Sequence, residues 1–225
     1  MMESNIRSGR IIGVLLLLQV AAGILLNFVF TAPLFGEPGF LINAAPHAIQ
    51  IAQSALIGIA MGLVSLTIAS LLYPLFRPLS QPLALFYFAL VTAGFALTVA
   101  ENISIMSMLS LSKAYAAADA SQEALYQGLR IVVKETRNWT HFISLIVSGA
   151  TLFTFYLAMF RFRLIPRLLA GFGLMACISQ MYAISQPLFG HAVDFRLIAP
   201  LGICQIVLGM WLVAKGFRHG EPKSS

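Results

Sequence analysis

The residues best suited to chemistry in this sequence lie inside or beside long apolar stretches. Glu101 and Asn102 interrupt the apolar run TVAENISIMSMLS, and His141 lies in a second run. On a helix, Arg137 and Asn138 share a face with His141 at spacings of four and three. An ionisable side chain within a membrane-length apolar segment is costly and is by default a functional candidate. We therefore take Glu101, Asn102, Asn138 and His141 as candidate ligand-binding residues.

Two more histidines extend this polar set. His47 begins another apolar run, with Gln50 on the same helix face, and both join the candidate ligand-binding residues. His191 and Asp194 follow a later run. Imidazole ligates zinc, copper and iron, and two facing histidines can ligate haem, so a site at His47, His141 and His191 is an alternative. Because no HxxxH, HExxH or CxxC spacing supports it, we expect no metal and assign no cofactor.

The elements that position these residues are six apolar stretches. The chain has 225 residues, of which 59% are hydrophobic and 10% charged, whereas soluble domains carry about 25% charged residues. A helix needs about 20 apolar residues to cross a hydrocarbon core of about 30 Å. We predict an all-α membrane protein with six transmembrane helices, within the approximate ranges 10–30, 47–73, 83–110, 138–160, 168–189 and 197–215.

Basic residues predict the orientation of these helices. With the N-terminus inside, nine of the 14 Lys and Arg residues fall on the inner side: Arg7, Arg10, Arg77, Arg161, Arg163, Arg167, Lys215, Arg218 and Lys223. The positive-inside rule then places both termini in the cytoplasm. We expect Arg161, Arg163 and Arg167 to anchor the inner turn at the lipid headgroups.

The rest of the chain shows little organisation beyond the spans. Residues 111–137 are rich in helix-forming residues, which predicts a short helical outer segment between the third and fourth spans, formed by one or two surface helices that lie on the membrane. We expect a single domain over 1–225, with a flexible cytoplasmic tail at 216–225. Ser54, Gly58 and Gly62 form a small-residue stripe that permits close helix packing.

Residue counting predicts one specific contact. Glu101 and His141 each lie about 18–19 residues from the cytoplasmic ends of consecutive antiparallel helices, so their depths differ by only about 2 Å. We expect the two side chains to face each other. A carboxylate and an imidazole each favour the charged form of the other, whereas a dry site favours a shared proton between neutral groups. Side chains that point only to headgroups are the alternative.

Two motifs resemble a known family. The stretch FYLAMFRFRLIPRLLAGFGL (155–174) and the stretch MWLVAKGF (210–217) are similar to motifs of a bacterial six-helix membrane family described only as a domain of unknown function. The matching residues are Arg161, Arg163, Ile165, Pro166, Arg167, Leu169, Ala170, Gly173, Trp211, Leu212, Lys215, Gly216 and Phe217.

The resemblance extends to a Glu in the third helix and a His in the fourth, at Glu101 and His141. Thr98 stands where the family usually has an Arg before that Glu, so an Arg–Glu pair within this helix is not expected. The resemblance implies the six-helix fold and a location in the bacterial inner membrane, and it implies no activity.

These observations favour one function and leave two alternatives. We expect binding or passage of a small molecule or lipid through an outward-facing polar pocket. A metal- or haem-dependent redox enzyme and a non-catalytic partner or regulatory subunit are the alternatives.

The lipid bilayer is the expected partner. The net charge of +6 is explained by the basic residues that orient the helices in the membrane. The sequence has no basic stripe with interleaved aromatic residues that would indicate a nucleic-acid-binding surface. Neither the oligomeric state nor catalysis is predicted.

Reporter fusions test the predicted topology. Fusions after Ser80, Arg163 and Ser225 should report the cytoplasm, and a fusion within 115–125 should report the outside, because Lys and Arg are retained on the inner side. A cytoplasmic signal from a fusion within 115–125 would contradict the six-helix topology.

Overall fold

All regular elements in the described part of the chain are helical. The computed structural model describes the backbone of residues 2–218 and the side chains from residue 6 onward. In this part the α-helices are α1 (Met2–Leu25), α2 (Ala32–Phe35), α3 (Phe40–Asn43), α4 (Ala48–Phe76), α5 (Gln81–Ala116), α6 (Glu123–Arg161), α7 (Arg167–Ser185) and α8 (Ala199–Lys215). A π-helical segment extends over Leu26–Phe30, and 3-10 segments extend over Ala120–Gln122, Gln186–Phe189 and Phe195–Leu197.

Six helical stretches are long and apolar enough to cross a membrane. They are Ile6–Phe30, Ala48–Phe76, Gln81–Ala116, Ala120–Arg161, Arg167–Phe189 and Phe195–Lys215. The predicted all-α fold with six spans is confirmed, and the chain is a multi-pass membrane protein. The direction in which the helices cross stays a prediction. We call the end of these helices that carries Arg77, Arg161, Arg167 and Lys215 the basic end.

The outer segment between the third and fourth spans is helical, but it does not form separate surface helices. Helix α5 continues to Ala116, a 3-10 turn follows at Ala120–Gln122, and α6 then extends without interruption from Glu123 to Arg161. Residues 123–137 contain no proline and only one glycine. A continuous helix keeps its backbone N–H and C=O groups hydrogen-bonded, whereas a new helix end would leave several of them without a partner. The expectation of surface helices lying on the membrane was therefore wrong.

Two compact units are present, and each combines parts of several helices. Unit 1 consists of Leu63–Gly94, the chain up to Val20 and the chain from Leu145; unit 2 consists of Ala21–Gly62 and Phe95–Ser144. The single domain over 1–225 stays a prediction. Of the predicted tail at 216–225, residues 219–225 lie outside the part of the chain that the structure describes.

Unit 1 brings together the two motifs of the family resemblance. The backbone N–H of Arg218, directly after the second motif, donates to the Leu164 carbonyl in the first at 2.8 Å. Phe217 and Leu164 are buried. A Cβ at Gly9 of α1 would lie 2.6 Å from the backbone nitrogen of Phe217, so only glycine fits there. The motifs therefore fix how α1, the α6–α7 turn and the end of α8 pack.

The α6–α7 turn alternates exposed basic residues with buried apolar ones. Arg161, Arg163 and Arg167 are exposed, whereas Leu164 and Ile165 are completely buried. Arg163 adopts a positive φ of 55°, an uncommon conformation for a non-glycine residue. The three arginines are therefore exposed at this turn, and their anchoring at the lipid headgroups stays a prediction.

Unit 2 is built on the chain between α1 and α4. Leu34, Phe40, Leu41 and Ala44 form a buried core with Ile51 of α4 and with Ile105, Met108 and Leu109 of α5. Ser112 on α5 forms two hydrogen bonds with this connecting segment. Its hydroxyl donates to the Leu41 carbonyl at 2.9 Å and accepts a hydrogen bond from the Ala45 N–H at 2.8 Å. The short helices α2 and α3 are thereby held against α5.

Replacing Gly173 tests the packing of unit 1. A Cβ at Gly173 would clash with the Tyr156 ring, and Tyr156 is completely buried. We expect Gly173→Ala to destabilise the folded protein by about 1–3 kcal/mol through overpacking. Unfolding in detergent, followed by circular dichroism, measures the change.

Gly171→Ala is the matched control, because its Cβ would lie 3.7 Å from Phe160, an ordinary contact. Alanine also has a higher helix propensity than glycine, so this variant should be at least as stable as the parent. Equal stability of the two variants would contradict the close contact at Gly173.

Candidate functional site

Three ionisable side chains meet between α5 and α6 in unit 2. Oε1 of Glu101 lies 2.8 Å from His141 Nδ1 and 3.1 Å from Arg137 Nη2. The predicted contact between Glu101 and His141 is therefore confirmed. The arginine that pairs with Glu101 is therefore supplied by α6 and not by α5. Its signal in the sequence was the spacing of four between Arg137 and His141, which places both on one helix face.

Burial makes this cluster strongly interdependent. The side chains of Arg137, Glu101 and His141 are 9%, 18% and 26% exposed. A charge in such surroundings is tolerated when a partner of opposite charge and hydrogen bonds compensate for lost hydration. Oε1 of Glu101 accepts from Arg137 and is also the oxygen that His141 Nδ1 approaches, so one carboxylate oxygen joins both partners.

Arg137 also contacts the segment before α4. Its guanidinium carbon lies 4.6 Å from the centre of the Phe35 ring, a cation–π geometry. Its Nε is buried and has no hydrogen-bond partner within the described chain. Arg137 thus joins α2 to α5 and α6 and retains one buried donor that no protein atom satisfies.

A groove of about 550 Å³ lies beside the cluster in unit 2. Its walls include Ile59 of α4, Val99, Asn102, Ile103 and Met106 of α5, and Val133 of α6. The groove lining and the cluster are close along both long helices, since Asn102 follows Glu101 and Val133 lies one turn from Arg137. The groove is therefore mainly apolar, with the Asn102 amide as a polar group in its wall.

Small residues on α4 leave room for the Asn102 side chain. Asn102 Nδ2 donates to the Thr98 carbonyl at 2.8 Å. A Cβ at Gly58 would lie 2.9 Å from this nitrogen, and one at Gly62 would lie 2.6 Å from the Phe95 ring. The predicted small-residue stripe therefore does permit close packing, here of α5 side chains against α4.

The other predicted site residues have local roles or lie apart from the groove lining. Gln50 Nε2 donates to the Val29 carbonyl at 2.7 Å and thereby satisfies the π-helical end of the first span. His47 Nδ1 is 2.8 Å from the Asn43 carbonyl. Asn138 is partly buried on α6, and His191 is exposed. Of the six candidate ligand-binding residues, Asn102 is the one in the groove wall.

The alternative metal site is not assembled. Among the described residues, no three His, Cys, Asp or Glu side chains come close enough to hold a metal ion. His47 and His141 already contact Asn43 and Glu101, as described above. The structure therefore does not bring His47, His141 and His191 together.

Fold and site together define a class: a six-helix, multi-pass membrane protein with a buried Glu–Arg–His cluster beside an apolar groove. Residues 11–216 match the model of DUF4386, a domain of unknown function. The chain belongs to this family, as the resemblance implied. No curated protein and no solved structure matches the sequence.

Substitutions at Glu101 and Arg137 test the cluster. We expect Glu101→Gln to destabilise the protein by about 3 kcal/mol, because it leaves the buried Arg137 charge without its counterion. The double variant Glu101→Gln/Arg137→Gln removes both charges and should be more stable than Glu101→Gln alone. Unfolding in detergent gives the coupling between the two sites.

Glu135→Gln on the exposed surface of α6 is the control and should leave stability unchanged. If the Glu101 and Arg137 effects were simply additive, the two side chains would not interact in the folded protein.

Proposed function

We propose that this protein binds an apolar or amphiphilic small molecule, such as a membrane lipid, in the groove between α4, α5 and α6. The observation that carries the proposal is the groove itself. Its volume of about 550 Å³ falls within the range of about 300–1,000 Å³ typical of ligand pockets. Such pockets are mainly apolar with a few polar groups, a composition that this groove shares.

The lining favours an apolar ligand over a polar one. Ile103 and Met106 are 62% and 37% exposed along the groove. The hydroxyls of Ser107 and Ser110 donate to carbonyls of their own helix at 3.0 and 2.9 Å, which leaves them little capacity to donate to a ligand. The groove is therefore more apolar than the polar pocket expected from the sequence.

Counting along α5 indicates where the groove opens. Val99 lies about 18 residues, or about 27 Å, from the start of α5 at the basic end. A hydrocarbon core is about 30 Å thick, so the groove begins near its far margin and continues beyond it toward Leu111. With the predicted topology, this is the outward side.

Filling the groove tests the proposal. Val99→Trp places a large ring in the lining and should reduce the number of lipid molecules that remain bound to the purified protein. Native mass spectrometry in detergent counts these molecules, and thermal unfolding confirms that the variant is folded. The expected result is loss of tightly bound lipid from a folded protein.

Leu56→Trp is the matched control. Leu56 is 70% exposed on α4 and lies outside the groove lining, so the same enlargement should leave lipid retention unchanged. Equal retention in both variants and the parent, or equal loss from both variants, would contradict specific binding in the groove.

A further inference from the structure

We infer that Arg137 makes the groove selective for anionic amphiphiles, molecules with an apolar chain and a phosphate or carboxylate headgroup. The inference rests on the proposed function and names the class of ligand. It starts from the one buried polar atom that the described structure leaves without a partner, Nε of Arg137.

One buried donor of Arg137 has no acceptor within the described protein. A guanidinium has five N–H donors, and the structure pairs Nη2 with Glu101 while it leaves Nε unpaired. Buried donors in native proteins nearly always have an acceptor. The residue is 8% exposed, so bulk water does not freely satisfy it. On this inference, an acceptor from outside the protein chain completes the site.

Glu101 does not supply the missing acceptor in this arrangement. Its Oε1 is shared by Arg137 and His141, so one carboxylate oxygen faces two donors. Phe35 lies over one face of the guanidinium, which leaves the guanidinium edge as the direction of approach. An oxyanion fits this requirement because guanidinium groups bind phosphate and carboxylate through paired N–H donors.

The position of Arg137 relative to the groove indicates an amphiphile. Val133, in the groove lining, precedes Arg137 by four residues on the same face of α6, about 6 Å along the helix axis. The lining on α5 extends from Val99 to Leu111, about 18 Å. A headgroup at Arg137 and an acyl chain along this lining would occupy both features at once.

Three amphiphiles with one chain length test the inference. Binding of 1-dodecanol, dodecyl phosphate and dodecyltrimethylammonium to the purified full-length protein is measured by isothermal titration in an uncharged detergent. We expect dodecyl phosphate to bind about tenfold more tightly than 1-dodecanol, as a charge-assisted hydrogen bond implies, and the cation to bind most weakly. Equal binding of 1-dodecanol and dodecyl phosphate would overturn the inference. It would indicate that a water molecule, and not a ligand headgroup, accepts the hydrogen bond from Arg137 Nε.

Conservative variants separate recognition from folding. Arg137→Lys keeps the positive charge and the pairing with Glu101 but removes Nε–H, and it should abolish the phosphate preference while 1-dodecanol still binds. Arg130→Lys is the matched control; Arg130 bonds Gln127 on the same helix at 3.2 Å, and its replacement should preserve the preference. An unchanged preference in Arg137→Lys would overturn the inference.

Two further outcomes identify which proposal fails. If none of the amphiphiles binds the parent protein, the groove function itself is wrong. Inorganic phosphate at the same concentration should not displace dodecyl phosphate, because it has no chain to occupy the groove. Displacement would show that the site takes a free anion and would overturn the assignment to an amphiphile.

Discussion

Glu101 carries a carboxylate within a helix of membrane-spanning length, and its hydrogen-bond geometry constrains the rest of unit 2. A buried carboxylate requires compensation, and Arg137 and His141 provide it from one face of α6 at 3.1 and 2.8 Å. These contacts fix the register of α5 against α6, two helices of 36 and 39 residues. The contact of Arg137 with Phe35 extends the same constraint to the segment before α4. Removing one partner leaves the others buried and uncompensated.

The groove follows from this arrangement. Close packing of α4 against α5 depends on Gly58 and Gly62, which leave room for Asn102 and Phe95. Beyond these contacts, Ile59, Ile103 and Val133 line an open space between α4, α5 and α6. The charged cluster holds the helices in place, and the apolar side chains provide the proposed binding surface. This division explains why the residues with the most evident chemistry, Glu101 and His141, are not the residues that line the groove.

Sequence reasoning succeeded where one physical quantity dominates. Hydropathy over about 20 residues revealed the six spans, and the rise per residue predicted that Glu101 and His141 face each other. It failed where structure depends on packing among several elements. The groove arises between three helices and has no linear signal. Gln50 was predicted as a ligand residue, but the π-helical end of the first span, which it satisfies, has no evident signature in the sequence. The continuous α6 could have been anticipated, since no strong helix breaker occurs within residues 123–137.

The central claim is that a ligand chain occupies the groove and that its headgroup completes the bonding of Arg137. An electron cryomicroscopy map of the protein purified in lipid nanodiscs tests this most directly. The account predicts elongated density along Val99, Ile103 and Met106 that ends within hydrogen-bond distance of Arg137 Nε, about 2.7–3.2 Å. A groove closed by side chains, or one without such density and with only a water molecule at Nε, would contradict it.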